Sequence, residues 1–371
     1  MILGINMEKK YTAASQVYIF GAQSRAKTLK GYLQFLCPET EILSFIVDNM
    51  EGNELSIDGI PVRSLNDVEK PDSLCDIFIA TKGIYHQDIR RRLEYKGMRR
   101  IIPITVEMDN LLRNEYVKKY FEKERRSFTK LADLTARNQQ YSADSAIYMA
   151  KSIYDNPLQG CFCCPEYEKP IQAGAALTEQ RLSPNILTDC EGENISAKNR
   201  QYCELTVLYW IWKHAKEEIV GLSHYRRHFI LPDNWQDIMI SNKIDVILPV
   251  STYVYPNIAE NYKERHDFTD WEFLMRYLEK NSPDDYAMTK KVFSENLYYP
   301  CNMFIMQRKI LNDMCSWLFP IIDAAAEHGG TKEDAYLNRY PGFISERLIT
   351  LFFEIHRDEY HIVYADKNFI Y

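Results

Sequence analysis

Residues 219–229 read IVGLSHYRRHF: a short apolar run, Ile219, Val220 and Leu222, that breaks into His224, Tyr225, Arg226, Arg227 and His228. A buried strand ending in several polar, cationic side chains is the usual geometry of a ligand site at the carboxyl edge of an α/β sheet. Two adjacent arginines suit an anion such as a diphosphate, because guanidinium groups bind phosphate oxygens bidentately. The alternative is a strand followed by a solvated charged turn. Upstream, residues 199–214 (NRQYCELTVLYWIWKH) place Leu205, Leu208 and Trp212 on one face of an amphipathic helix that feeds the strand. Glu204 falls in its first turns, where the helix dipole favours a carboxylate.

Further strands are expected at 146–150, 245–249, 300–306 and 362–364, with helical patterns at 270–279, 283–294, around Trp317 and Phe319, and from Gly342 onward. Toward the N-terminus, β runs at 16–20, 42–47, 77–80 and 101–104 alternate with helical patterns at 29–35 and 84–95. That alternation predicts a parallel sheet with right-handed crossovers. Asp58-Gly59 supplies the turn of a hairpin at 57–62. Gly21 is what remains of a dinucleotide-type glycine turn, and Asp48 ends the second strand where a ribose-binding acid would sit. Leu112, Tyr116, Tyr120, Phe128 and Leu131 form a helical stripe. The fold class is α/β, with a Rossmann-like domain at 1–106, a helical connector at 107–143 and a second α/β domain at 144–371.

Composition fits a folded two-domain protein of 371 residues, 46% hydrophobic and 26% charged. A net charge of −7 gives no footprint for nucleic acid. Residues 90–130 carry 13 Lys/Arg against 6 Asp/Glu, a local +7 that reads as a solvated helix face or as a contact for an anionic membrane surface. No stretch reaches the about 18 apolar residues of a membrane span. Nine cysteines and no export signal point to free thiols in the cytoplasm, and Cys161, Cys163 and Cys164 have no second Cys/His pair at zinc-ligand spacing.

Six segments in order resemble the glycosyltransferase family of bacterial capsular and exopolysaccharide clusters, long catalogued as a domain of unknown function. They are DxxGxNIS (189–196), YCELTxLYWxWK (202–213), VGLxHYRRxF (220–229), NMFIM (302–306), CSWLF (315–319) and GFISERL (342–348). FIVDN (45–49), GIPV (59–62) and DIFIA (76–80) likewise resemble the nucleotide-binding-type modules that precede many polysaccharide-biosynthesis enzymes, where the module is accessory.

The resemblance implies a GT-A-like domain that takes a nucleotide-sugar donor, a UDP-sugar, and passes a hexose or galactofuranose to an oligosaccharide or lipid-linked acceptor. It places the protein in the cytoplasm or peripherally at the inner face of the membrane. Many such enzymes end a strand in Asp-x-Asp to hold a divalent metal. This chain has Ser223-His224-Tyr225-Arg226-Arg227 there, so the metal stays open and Arg226 and Arg227 are the candidates for its role, with His224 lining the site. Asp189, Asn194, Ser196, Glu204, Tyr225 and Asn302 are candidate donor contacts; Asn194 or Ser196 could equally cap a helix. Glu346 is the candidate general base, or else the partner of Arg347 or Arg226. His266 is an acceptor-side candidate. Two other readings compete: an NAD(P)-dependent oxidoreductase or epimerase resting on Gly21 and Asp48, and a non-catalytic nucleotide-sugar-binding scaffold.

Overall fold

The structure, a computed structural model, describes residues 16–68, 75–136, 143–158 and 164–370. The polar run at 138–142, the boundary expected there, and Cys161 and Cys163 lie outside the described residues. Two compact units divide the chain: Met1–Ser127 with Tyr253–Tyr255, and Phe128–Thr252 with Pro256–Tyr371.

The first unit runs β1 (Gln16–Phe20), α1 (Ser24–Leu36), β2 (Glu41–Val47), β3 (Ser56–Ile57), β4 (Ile60–Ser64), β5 (Asp76–Ile79), α2 (His86–Tyr95), β6 (Arg100–Pro103) and α3 (Val106–Lys123). Its sheet has the order β3-β4-β2-β1-β5-β6, parallel except for the β3–β4 hairpin. The hairpin closes on Asp58 and Gly59, both at positive φ, as a two-residue turn requires. Ile89 and Leu93 of α2 cover one face, against Phe20, Ile46, Ile77 and Ile79. Gly21 follows β1 at φ +114°, and a Cβ there would stand 3.0 Å from the Ala80 carbonyl, so only glycine fits.

Thr105 caps α3 by accepting from the Met108 amide, and Glu107 and Asp109 occupy its first turn. The helix is shorter than the apolar stripe suggests. Arg125 takes φ 58° just past its end, and the remaining stripe residues serve the second unit instead. There Phe128 stacks on Tyr364 at 5.3 Å and Leu131 is buried in the core.

The second unit runs β7 (Ser145–Lys151), β8 (Glu168–Gln172), β9 (Leu187–Thr188), α4 (Asn199–Tyr202), α5 (Leu205–His214), β10 (Ile219–His224), α6 (Trp235–Ser241), β11 (Val246–Pro249), α7 (Ile258–Arg265), α8 (Phe268–Asn281), α9 (Tyr286–Phe293), β12 (Phe304–Gln307), α10 (Arg308–Gly329), α11 (Tyr340–Ile355) and β13 (Ile362–Ala365). Seven strands form one sheet in the order β13-β11-β12-β10-β7-β8-β9. All pairs are parallel except those of β12, which runs against both β10 and β11.

Every residue of β10 is buried, which is why its sequence is nearly continuous in apolar character. A Cβ on Gly221 would come within 3.0 Å of the Phe304 carbonyl, so the glycine permits the close approach of β12. Ile147, Ile219, Ile247, Ile305 and Val363 form one core with Trp235 and Met239 of α6. Helix α10 lies against β10, β12 and α11.

The single helix expected over 199–214 is two helices. Cys203 between them takes φ 51° and ψ −130°, and the Asn199 side chain donates to its carbonyl at 2.8 Å. The same carbonyl accepts from the Thr206 amide at 3.2 Å, so it opens the second helix and does not continue the first.

Candidate functional site

Reversing β12 brings its first residue to the edge where β7 and β10 end, since Leu222 pairs with Phe304 and His224 with Ala150. The site is assembled at that edge. Directly after β10 the chain makes a tight turn in which His224 and Arg227 exchange backbone hydrogen bonds at 3.0 Å. Tyr225 extends the ladder by donating its amide to Ala150.

Two further supports fix this turn. His228 is buried, with Nδ1 2.6 Å from Glu168 Oε2 and Nε2 3.2 Å from the Tyr225 carbonyl. Residues 366–370 run alongside, through Ile230 to Asp366, Asn368 to His228 and Ile370 to Arg226 backbone bonds. The turn is therefore a preformed feature, not a loose charged loop.

The arginines it carries have no carboxylate partner within ion-pair distance among the described residues. Arg226 donates to the Asn156 carbonyl at 3.4 Å and lies 5.1 Å from the Tyr225 ring centroid, while its buried Nε has no acceptor. Arg227 lies over the Phe369 ring at 5.2 Å. Glu204, a candidate donor contact, accepts from Asn302 Nδ2 at 2.7 Å. Asp155, after β7, accepts from the Ser152 amide at 2.7 Å. Burial raises its carboxyl, against the lowering influence of Arg226 and Arg339.

Pro300 leads into two consecutive left-handed residues, Cys301 at φ 74° and Asn302 at φ 51°. With Cys203 they make three non-glycine residues at positive φ in one site, each held at a cost of order 1–3 kcal/mol. Side chains supply what holds them. Glu346 of α11 accepts from the Cys301 amide at 2.7 Å, and Asn302 donates to Glu204 and to the Gly342 carbonyl while accepting from Ser345. The hydrogen bonds of the Asn302 amide are thus made inside the protein.

Glu346 also pairs with Arg347 at 2.8 Å, the structural partnership the sequence left open. Burial raises its carboxyl above the ordinary range, offset by Arg347 and reinforced by Glu204. His224 donates from Nε2 to the Cys301 carbonyl, which leaves Nδ1 as an acceptor. Burial, with Arg227 behind it, holds this imidazole below its usual value despite Glu204.

Asp189, Asn194 and Ser196 form a separate knot. Asp189 is fully buried and accepts from the amides of Gly174 and Ala175, from Ser196 Oγ and from Thr206 Oγ1. Asn194 accepts from the Ser196 amide in an Asx-type turn and donates to the Cys190 and Gly192 carbonyls. Their polar atoms are engaged within the fold. Asp189→Asn sets an amide N–H₂ against these donors and is expected to lower the unfolding free energy by about 1–3 kcal/mol. A urea titration showing an unchanged midpoint would remove the knot from the account.

His266 is stacked on Phe343 at 4.1 Å and on Tyr336 at 5.5 Å. Burial, then Arg347, Arg265 and Lys332, push its imidazole down to about 3. An unfolded histidine takes up its proton near pH 6.5, whereas folded His266 stays neutral. The stability it contributes is present above about pH 6.5 and drains away as pH falls toward 3. His266→Phe should flatten the pH dependence of the urea midpoint across that window, and an unaltered slope would refute this.

Gly21 and Asp48 lie in the first unit. The Gly21 amide donates to the Ile46 carbonyl, and the Asp48 carboxylate pairs with Arg92 of α2. A ribose seeking that acid would have to displace a guanidinium, which weighs against the dinucleotide reading.

Residues 162–357 match a family described as Domain of unknown function (DUF4422). The chain belongs to this family. A search of curated proteins finds no match. Among solved structures, the chain is similar to the apo structure of WbbM, a bifunctional glycosyltransferase. The two are 26% identical with a TM-score of 0.53, over 61% of this chain and 45% of that one. The chain thus spans less than half of the WbbM chain's length.

The DUF4422 match contains the arginine turn, the Cys203 break, the Cys301–Asn302 turn and Glu346. Asp155 and the strap at 366–370 lie outside it. Arg339, just ahead of α11, donates from Nε to Cys203 Sγ at 3.0 Å. Asp155, Cys203 and Arg339 were not singled out by sequence, because none sits in a motif with a chemical signature of its own. Glu204 and Glu346 already accept from protein donors, and no group of three His, Cys, Asp or Glu stands together among the described residues. No helix among them is long and apolar enough to cross a membrane.

Proposed function

We propose that the chain is a GT-A-type glycosyltransferase that moves a hexose or galactofuranose unit from a UDP-sugar to a growing, lipid-linked surface polysaccharide. The carrying observation is the convergence of Arg226 and Arg227, without an ion-pair partner among the described residues, with the half-buried carboxylate of Glu346 at one sheet edge. Fixed guanidinium groups aimed at a departing diphosphate stabilise its growing charge without reorganisation at the moment of transfer. Each Glu346 oxygen accepts from one protein donor and keeps a second lone pair, so it can take the proton of an acceptor hydroxyl. A raised carboxyl makes the stronger base.

Likeness to WbbM supports the transferase reading, and the single α/β sheet that carries the arginine turn supports its GT-A part. In this reading the first unit is accessory, and the basic stretch at 90–130 faces anionic lipid at the inner side of the membrane. Thermal shifts against a panel of nucleotide sugars, with and without excess chelator, test it. A UDP-sugar should raise the melting temperature in chelator, because a ligand that binds only the folded state stabilises it. Slow release of free UDP should accompany binding and would separate an enzyme from a scaffold. If no nucleotide sugar shifts the melting temperature, the reading falls.

A further inference from the structure

Arg339 stands at the end of a short 3₁₀ turn, Leu337–Arg339, immediately before α11. Its guanidinium is held from two sides: Nε donates to Cys203 Sγ at 3.0 Å, and the group lies 5.7 Å from the Phe343 ring centroid. Among the described residues no carboxylate is within ion-pair distance of it. Asp155 feels both Arg226 and Arg339, and Glu204 is a charged neighbour of Arg339, Cys203, His224 and Glu346 alike. Glu204, the residue after Cys203, accepts from Asn302, and the His224 that opens the arginine turn donates to the Cys301 carbonyl, so Arg339 joins the same cluster through Cys203.

The identity of its partner matters. A carboxylate beside Arg339 would orient the guanidinium but also neutralise it. A thiol orients it and leaves the charge intact, provided the thiol stays protonated. Burial keeps Cys203 in that form, its thiol pushed up to about 12 even with the guanidinium beside it. Only Nε is committed to the sulfur, and a guanidinium has four further N–H donors on its two terminal nitrogens, the bidentate face for phosphate. The left-handed Cys203 that breaks the 199–214 helix now has a purpose, because it presents Sγ to Arg339.

We propose that Arg339 is a third anion-binding arginine of this site, aimed by Cys203 and Phe343 at the diphosphate of the nucleotide-sugar donor. Cys203 is its positioning residue. The proposal rests on the glycosyltransferase reading.

Calorimetric titration of UDP into the full chain tests it, comparing wild type with Arg339→Gln, Arg339→Lys, Cys203→Ala and Cys203→Ser. Loss of one charge-assisted contact in Arg339→Gln should weaken UDP binding by about ten- to a hundredfold, with the melting temperature of the unliganded protein unchanged. Lysine should restore part of the loss. Cys203→Ala should weaken binding several-fold, and Cys203→Ser, whose hydroxyl still accepts from Nε, should recover most of it. Wild-type affinity in Arg339→Gln would overturn the proposal while leaving the glycosyltransferase reading standing. Equal losses in Cys203→Ala and Cys203→Ser would overturn the positioning role. If wild type itself binds no UDP, the UDP-sugar part of the glycosyltransferase reading fails and this proposal with it.

Discussion

Alanine at both Arg226 and Arg227 is expected to weaken UDP binding by about a hundred- to ten-thousandfold while leaving the domain folded. Each charge-assisted contact contributes about 1.5–3 kcal/mol, and tenfold in affinity is about 1.4 kcal/mol. The effect is large because neither guanidinium is committed to a carboxylate among the described residues. It is safe for stability because the turn is held by other groups. His228, Glu168 and the backbone bonds to residues 366–370 all remain when the two side chains are shortened. Isothermal titration with UDP, paired with thermal melting, reads both quantities. Unchanged affinity would mean the charged turn is only a solvated turn, the competing reading of 219–229. A fall in melting temperature that accounts for the lost affinity would mean the arginines hold the fold.

Glu346→Gln is expected to lower turnover by about a hundred- to ten-thousandfold with donor affinity nearly unchanged, the usual range for a lost general base. The substitution keeps a carbonyl to accept from the Cys301 amide but cancels the charge that faces Arg347. The pH profile carries the sharper signature. Burial lifts the Glu346 carboxyl above the ordinary carboxylate value of about 4.3, so the base becomes available only as pH rises past that lifted value. Activity should climb along this acid limb in the wild type and lose it in the glutamine variant. Glu346 also braces the strained Cys301–Asn302 turn, so kcat and the urea midpoint should be measured together. Turnover lost only in proportion to stability would assign Glu346 to bracing alone.

The strand at 219–224 was legible because its first four buried positions, Ile219 to Leu222, carry no polar side chain, and the arginines show where the burial ends. The first sheet was legible for the same reason, through its alternating apolar runs and the Asp58-Gly59 turn. Chain features without a local signature stayed hidden. Nothing in YCEL marks Cys203 as left-handed, since neither glycine nor proline is present, and side-chain contacts from Asn199 and from distant Arg339 settle that residue. Asp189 looked like a ligand residue because a loop carboxylate beside Asn and Ser could serve either purpose. Four donors converging on it from three places in the chain make it a knot. Arg339 is one arginine among many in sequence, and gains meaning only beside Cys203 and Phe343.

The reversed strand β12 has a consequence for how the protein comes into being. β10 acquires its antiparallel neighbour from a segment far along the chain, after four helices and three further strands have been made. Contacts between distant parts of a chain form slowly, because the intervening loop must be closed before they repay its entropy. A nascent chain that has made the arginine turn but not Pro300–Asn302 holds half a site. Ligand binding in this protein should therefore appear as one of the last events of refolding, and a nucleotide added early should not speed it.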